Sequence, residues 1–240
     1  MDIVSQLKST NLAGGVVSSI IVMLIMILLA IYIGIRAHFQ DPLKKPKGML
    51  LVAEIGVTFF ENFAEGLLGK RFRMFGGYIM AIAVYLFLAF IFGLTGLPAP
   101  MTTLSVPLSL GLSTFILIHA TAIKYNKFRY FKRYVEPLPF FLPINLISMW
   151  APLLSLTLRL FGNALSGFVI MNIVYYGLQN LSAMVFASID SAWNEVFFAP
   201  FIAWILHLYF DLFSGFIQTT VFISLTAIYV GQEAPEDYLD

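Results

Sequence analysis

From Leu12 to Ile35 the chain carries no charged side chain over about 24 residues. As a helix rising 1.5 Å per residue, such a run spans the ~30 Å hydrocarbon core of a bilayer. Lipid offers the backbone no hydrogen-bond partners, so a helix, which bonds its own N–H and C=O groups, is what this stretch can form there. Its apolar part, Val16 to Ile35, exceeds the roughly 7–15 residues of a signal-peptide core, and no small-residue cleavage site follows. It is therefore read as a retained span. The rest of the chain agrees, with 60% hydrophobic and 11% charged residues against about a quarter charged in soluble domains. These features define an all-α integral membrane protein, read as a single membrane domain over residues 1–240.

After the first span, Arg36, Asp41-Pro42 and Lys44-Lys45-Pro46-Lys47-Gly48 mark an exit into water. Between Met49 and Leu68, the residues Val52, Ile55, Phe59, Phe60, Phe63 and Leu67 recur at helical spacing, while Glu54, Thr58, Glu61, Asn62 and Glu65 take other faces. This pattern predicts an amphipathic interfacial helix, with a packed soluble hairpin as the plainer alternative. A second span runs from about Met74 to Leu94 and is broken by Gly96-Leu97-Pro98-Ala99-Pro100. A third, from about Leu104 to Ile123, holds Pro107 in its first turn, where the missing N–H costs little. Residues 124–143 are basic, then proline-rich. A fourth element from Ile144 to about Asn180 and a fifth from about Val196 to Tyr229 follow, joined around Ser188-Ile189-Asp190-Ser191, before an acidic tail at 231–240. A straight helix over 144–180 would reach ~55 Å, more than ordinary tilt absorbs in a ~30 Å core. The last two helices are therefore expected to lie oblique, as a hairpin bent around a neighbouring object.

Charge orients these five crossings. Of fourteen Lys and Arg residues, seven lie between Arg36 and Arg73, five between Lys124 and Arg133, one is Lys8 and one is Arg159. By the positive-inside rule the two basic segments are cytoplasmic, which puts the N-terminus outside and the C-terminus inside. The aromatics interleaved with the 124–133 basics anchor the headgroup region and do not mark a nucleic-acid site. The net charge of +1, the absence of cysteine and the scattering of His38, His119 and His207 exclude nucleic-acid binding, a disulfide framework and a zinc site. No metal or cofactor is expected. The chain has no Gly-x-x-x-x-Gly-Lys-Ser/Thr loop for nucleotide chemistry and no internal repeat of the kind common in secondary transporters.

Arg159 alone is charged at membrane depth in an otherwise apolar run. Its guanidinium stays protonated, and a charge at mid-bilayer costs about 2.5–3.5 kcal/mol on insertion scales, so it must face a partner or a wet cavity. Ser148, Ser155, Arg159, Asn163 and Ser166 share one side of the fourth element, at steps of seven, four, four and three. Gly162 and Gly167 beside them permit close helix approach. On the fifth element His207, Asp211, Ser214, Gln218 and Phe222 form a matching stripe. A lone serine or asparagine there is ordinary interhelical glue, whereas Arg159, Asp211 and Gln218 together mark a functional site.

The string Leu156-Thr157-Leu158-Arg159-Leu160-Phe161-Gly162-Asn163, with Gln218 placed 59 residues after Arg159, resembles subunit a of the F-type ATP synthase, the ATPase A chain family. The likeness extends to Gly96-Leu97-Pro98, the basic 124–133 segment, the long hairpin and the short tail. It implies a non-catalytic stator of the Fo motor in a bacterial plasma membrane, partnered by the c-subunit ring, the b subunits of the peripheral stalk and other subunits. Two aqueous half-channels would carry protons to and from the ring carboxylates, coupling proton flow to rotation and ATP synthesis. Arg159 matches the family's essential arginine, which favours the deprotonated ring carboxylate and keeps the half-channels apart; an opposite charge within about 4–6 Å lowers a carboxylate's pKa. Gln218 matches the glutamine near that arginine, and Asn163 the asparagine one turn beyond it. Asp211 takes a polar position of the outer half-channel, with His207 one turn away, and Ser148 and Ser155 are expected in the inner one.

The chain departs from the family's pattern at Phe168, where many relatives carry a carboxylate or histidine, at Phe92 and Thr95 before Leu97-Pro98, and at Asn145, where many carry an acid. The outer half-channel is thus expected to depend on Asp211. The competing class is a self-contained ion channel or secondary transporter in which Arg159 and Asp211 gate one pore; a purely structural scaffold is disfavoured by the buried arginine.

Overall fold

The computed structural model describes residues 14–41, 45–127, 129–132, 134, 139–185 and 197–233. Lys8, the Leu12 start of the first span, Lys44, Arg133, the 188–191 turn, Val196 and the tail beyond Glu233 lie outside them. The described residues contain no strand, and five of their helices are long and apolar enough to cross a membrane. The order is α1 (Gly14–His38), α2 (Met49–Leu68), α3 (Gly76–Ile91), α4 (Ser105–Asn126), a short α5 (Arg129–Lys132), α6 (Leu142–Val185), α7 (Ala199–His207) and α8 (Ser214–Gly231). Tight 3-10 turns at Lys70–Phe75 and Phe92–Thr95 extend α3 at both ends, so that this span runs from Lys70 to Thr95.

Glycine brackets α2. Gly48 (φ 64°) and Gly69 (φ 87°) adopt the left-handed region that side chains resist, and Gly69 N–H closes the helix on the Glu65 carbonyl at 2.9 Å. The helix forms as its periodicity predicts, but its apolar residues divide. Phe60, Phe63, Ala64 and Leu68 pack into the core, while Val52, Ile55 and Phe59 stay exposed. Arg73 Nε donates to Glu61 at 2.9 Å and ties α2 to the turn that enters α3.

Two boundaries differ from the sequence reading. α6 starts at Leu142 and ends at Val185, 44 residues and about 66 Å. Pro143 falls in its first turn, where no intrahelical donor is lost, so the helix begins before Ile144. The fifth element is interrupted by a π-helical turn at Leu208–Phe213 between α7 and α8. Uniform periodicity hides such a turn, because the polar residues keep near-helical spacing on either side of it.

Helices in lipid gain little hydrophobic drive from meeting one another, so close packing holds them. Ile79, Leu86, Ala89 and Phe90 of α3 share one core with Phe222, Ala227 and Val230 of α8 and with Leu156 and Leu160 of α6. At Gly215 an added Cβ would lie 2.6 Å from the Phe90 Cβ, so α8 rests directly on α3 beside the π turn. α1 buries Gly15, Ser18, Ser19 and Val22 near its start, with Ser19 hydrogen-bonded to the Tyr85 hydroxyl at 2.6 Å, and exposes much of the rest.

Candidate functional site

The polar side of α6 meets two cavities. The first, about 610 Å³, lies beside the Gly96–Pro98 connection and is lined by Gly93, Asn163, Phe168, Tyr175, His207 and Asp211, among others. The second, about 330 Å³, lies where α4 and α8 end and α6 begins, with His119, Asn145, Ser148, Pro152, Tyr229 and Glu233 in its wall. Along α6 the His119 cavity ends at Pro152 and the Asp211 cavity begins at Asn163. Between them lie about 16 Å of helix. Ser155 and Arg159 occupy that interval and line neither cavity.

The Asp211 cavity contains a continuous hydrogen-bonded chain. Tyr175 Oη lies 2.9 Å from His207 Nε2, and His207 Nδ1 lies 2.5 Å from Asp211 Oδ2. With Asp211 ionised, its carboxylate accepts from Nδ1–H, and the lone pair left on Nε2 accepts from the tyrosine hydroxyl. The His207 and Asp211 side chains keep 27% and 23% of their surface exposed, enough to meet water in the cavity. Asp211 sits within the π turn, a local widening that recurs at functional sites. Gly93 leaves room for it, since a Cβ there would lie 3.5 Å from Asp211 Oδ1 and any branch beyond it would press on the carboxylate.

Arg159 is half-buried, and its Nη2 reaches Ser155 Oγ at 3.4 Å, the long end of a hydrogen bond. Among the described residues no carboxylate lies within ion-pair distance of it, and Asp211 pairs with His207 instead. The internal Arg159–Asp211 gate of the competing reading is therefore not formed. Asn163 Oδ1 accepts from Ser214 Oγ at 3.0 Å, which joins α6 to α8 one turn from the arginine. Gln218 Oε1 is buried without a partner among the described residues, an orphan of the kind that ordinarily costs about 1–3 kcal/mol. Ser166 turns back onto its own helix, donating to the Asn163 carbonyl at 3.0 Å, and Phe222 is core, not site.

Among the departures, Phe168 lines the Asp211 cavity and is 55% exposed. Thr95 Oγ1 donates to the Phe92 carbonyl at 2.7 Å, and Asn145 Nδ2 to the Tyr134 carbonyl at 3.1 Å. Sequence reasoning missed Tyr175, although a signal existed: Asn163, Gly167, Met171 and Tyr175 rise in steps of four and all line the same cavity. Gly93 and His119 carried no such signal.

Fold and site together define a multi-pass helical membrane protein with ionisable groups lining two cavities that approach one arginine from opposite ends. The chain belongs to the ATP synthase A chain family, whose sequence model matches residues 16–231. It is 30% identical over 223 residues to ATP synthase subunit a of Mycoplasma genitalium, covering 87% of this chain and 75% of that one. Over 211 residues it is 29% identical to ATP synthase subunit a of Anoxybacillus flavithermus, covering 81% and 82%. A shorter match, 35% over 146 residues, covers 60% of this chain and 44% of the sodium-ion-specific ATP synthase subunit a of Propionigenium modestum.

Proposed function

We propose that the chain is the non-catalytic, proton-conducting stator of an ATP synthase, working against a ring of c subunits and held with the b subunits of the peripheral stalk. The Asp211 cavity is its outer half-channel and the His119 cavity its cytoplasmic one. The observation that carries this reading is the position of Arg159: between two cavities that do not meet, with no described carboxylate of its own. A half-buried guanidinium at membrane depth needs an anion, and a carboxylate passing on a neighbouring ring supplies one in turn. Apolar residues left exposed on both helices, Leu154, Leu158 and Leu165 on α6 and Phe216 and Ile217 on α8, support a neighbour packed on this side.

Protons enter from outside and reach Asp211 through the cavity water and the Tyr175–His207–Asp211 chain, each member of which can accept one proton while giving up another. From Asp211 a proton neutralises a ring carboxylate, which can then enter lipid without the cost of a bare charge. After the ring has turned, the protonated group meets Arg159, whose charge lowers its pKa and releases the proton toward the cytoplasmic cavity. With Arg159 in the interval between the cavities, its charge opposes a direct proton path past the ring. With the basic segments taken as cytoplasmic, the N-terminus lies outside and the C-terminus, the Lys124 end of α4 and the His119 cavity lie inside.

The test is reconstitution of the whole complex in liposomes under an imposed proton gradient without sodium. ATP synthesis is expected from the intact chain and none from Arg159→Ala, while the purified chain without the ring should conduct almost nothing. Rapid proton flux through the isolated chain would restore the self-contained channel.

A further inference from the structure

The cytoplasmic cavity holds an ionisable group that the mechanism above leaves unused. His119 sits seven residues before the end of α4, about 10 Å along the axis from Asn126. Its ring lies 4.0 Å from that of Phe115, centroid to centroid, and edge-on to Tyr130 at 5.9 Å. Nδ1 lies 2.9 Å from the Phe115 carbonyl oxygen. A carbonyl only accepts, so Nδ1 carries the hydrogen and the neutral ring keeps its lone pair on Nε2. Nε2 has no hydrogen-bond partner among the described residues.

The surroundings suit a proton acceptor. The cavity's 330 Å³ has room for about ten waters at ~30 Å³ each. From α6 it is faced by the neutral Asn145 and Ser148, and Pro152, lacking an N–H, deprives the Ser148 carbonyl of its i+4 donor, leaving acceptor capacity at the wall. Among the described residues the titratable groups around His119 are Tyr130 and Tyr134 from the connection and Tyr229 and Glu233 from the end of α8, with Lys124 one turn and more along its own helix.

We propose that His119 is the proton-relaying residue of the cytoplasmic exit. A proton released from the ring carboxylate beside Arg159 passes through water to His119 Nε2, forming an imidazolium, and leaves to the cytoplasm at the Glu233 end, which returns the ring to its neutral form. This rests on the stator reading and adds to it a base on the exit side.

The test uses the assembled ATP synthase in inverted membrane vesicles, whose outer face is the cytoplasmic one. ATP synthesis is followed at constant driving force while the external pH is varied across neutrality. His119→Ala is expected to slow synthesis about tenfold and to flatten the pH dependence that the wild type shows there. Added imidazole, which reaches the cavity from outside the vesicle, should restore much of the rate. A packing role alone would not respond to imidazole. An H119A profile parallel to the wild type, or no rescue, overturns the proposal. If H119A does not assemble with the ring, H119Q keeps a donor for the Phe115 carbonyl but binds no proton, and a wild-type profile from it overturns the proposal equally. Arg159→Ala run in parallel separates the two levels: continued coupling in that variant sinks the stator reading, whereas its loss together with a wild-type H119A profile sinks only the role of His119.

Discussion

The two cavities flanking Arg159 are built differently. The Asp211 cavity is nearly twice the size and contains a carboxylate, an imidazole and a phenol already hydrogen-bonded in series. The His119 cavity also has an imidazole, phenols and the Glu233 carboxylate in its wall, but its imidazole bonds at Nδ1 to its own helix and not to the carboxylate, and α6 presents the neutral Asn145. In the proposed mechanism the difference matches what each side has to do. On entry a proton must be captured and delivered to a group that Arg159 does not help to protonate, which calls for an anion with an ordered supply line. On the proposed exit side Arg159 would drive the proton off the ring, so the groups of the wall need not be ordered in series.

Substitutions test this contrast. The largest effect is expected at the barrier both cavities share: Arg159→Ala should reduce ATP synthesis by the reconstituted complex at least a hundredfold, and a variant that still makes ATP would refute the division into two routes. Next comes Asp211→Asn, which leaves the volume but removes the anion; losing a positioned proton carrier is worth about tenfold to a hundredfold in rate. Near-normal synthesis by D211N would show that the outer cavity does not depend on its carboxylate. Tyr175→Phe deletes one hydroxyl from the chain, and losing a hydrogen bond of about 1 kcal/mol predicts a roughly fivefold slower rate at low proton concentration outside, with little change when protons there are plentiful. A loss equally large at all outer pH values would place Tyr175 in packing instead of supply. The smallest effect, less than about twofold, is expected for Ser155→Ala, whose bond to Arg159 is 3.4 Å long. A severe loss there would mean that the serine, and not a ring carboxylate, is the main partner of the guanidinium.

Much of this was legible in the chain before its fold. Helix α4 lies within three residues of its expected ends, and the basic segments, the stripe from Ser148 to Asn163 and the pair His207 and Asp211 all follow from spacing. The reading failed where one helix depends on another. It treated the last element as one α-helix, and the π turn that holds Asp211 is invisible to a periodicity of three to four. It allowed Arg159 and Asp211 to pair across a pore, yet the carboxylate is occupied by His207 and the guanidinium lies in the interval between the cavities. It gave α2 one apolar face, whereas packing against α3 divides that face in two.

The set of candidate spans and the presence of a lone arginine within an apolar run are already fixed by residue order. These follow from transfer free energies, which depend on residue type and run length and so can be summed along a chain. The tertiary structure alone decided that Tyr175, 32 residues before His207, completes a hydrogen-bonded chain to Asp211, that Gly93 lies beside that carboxylate, and that two cavities stop short of each other at Arg159. Hydrogen bonds and cavities require groups from separate helices to come within a few ångströms, and in lipid that registry is set by which small residues let the helices close.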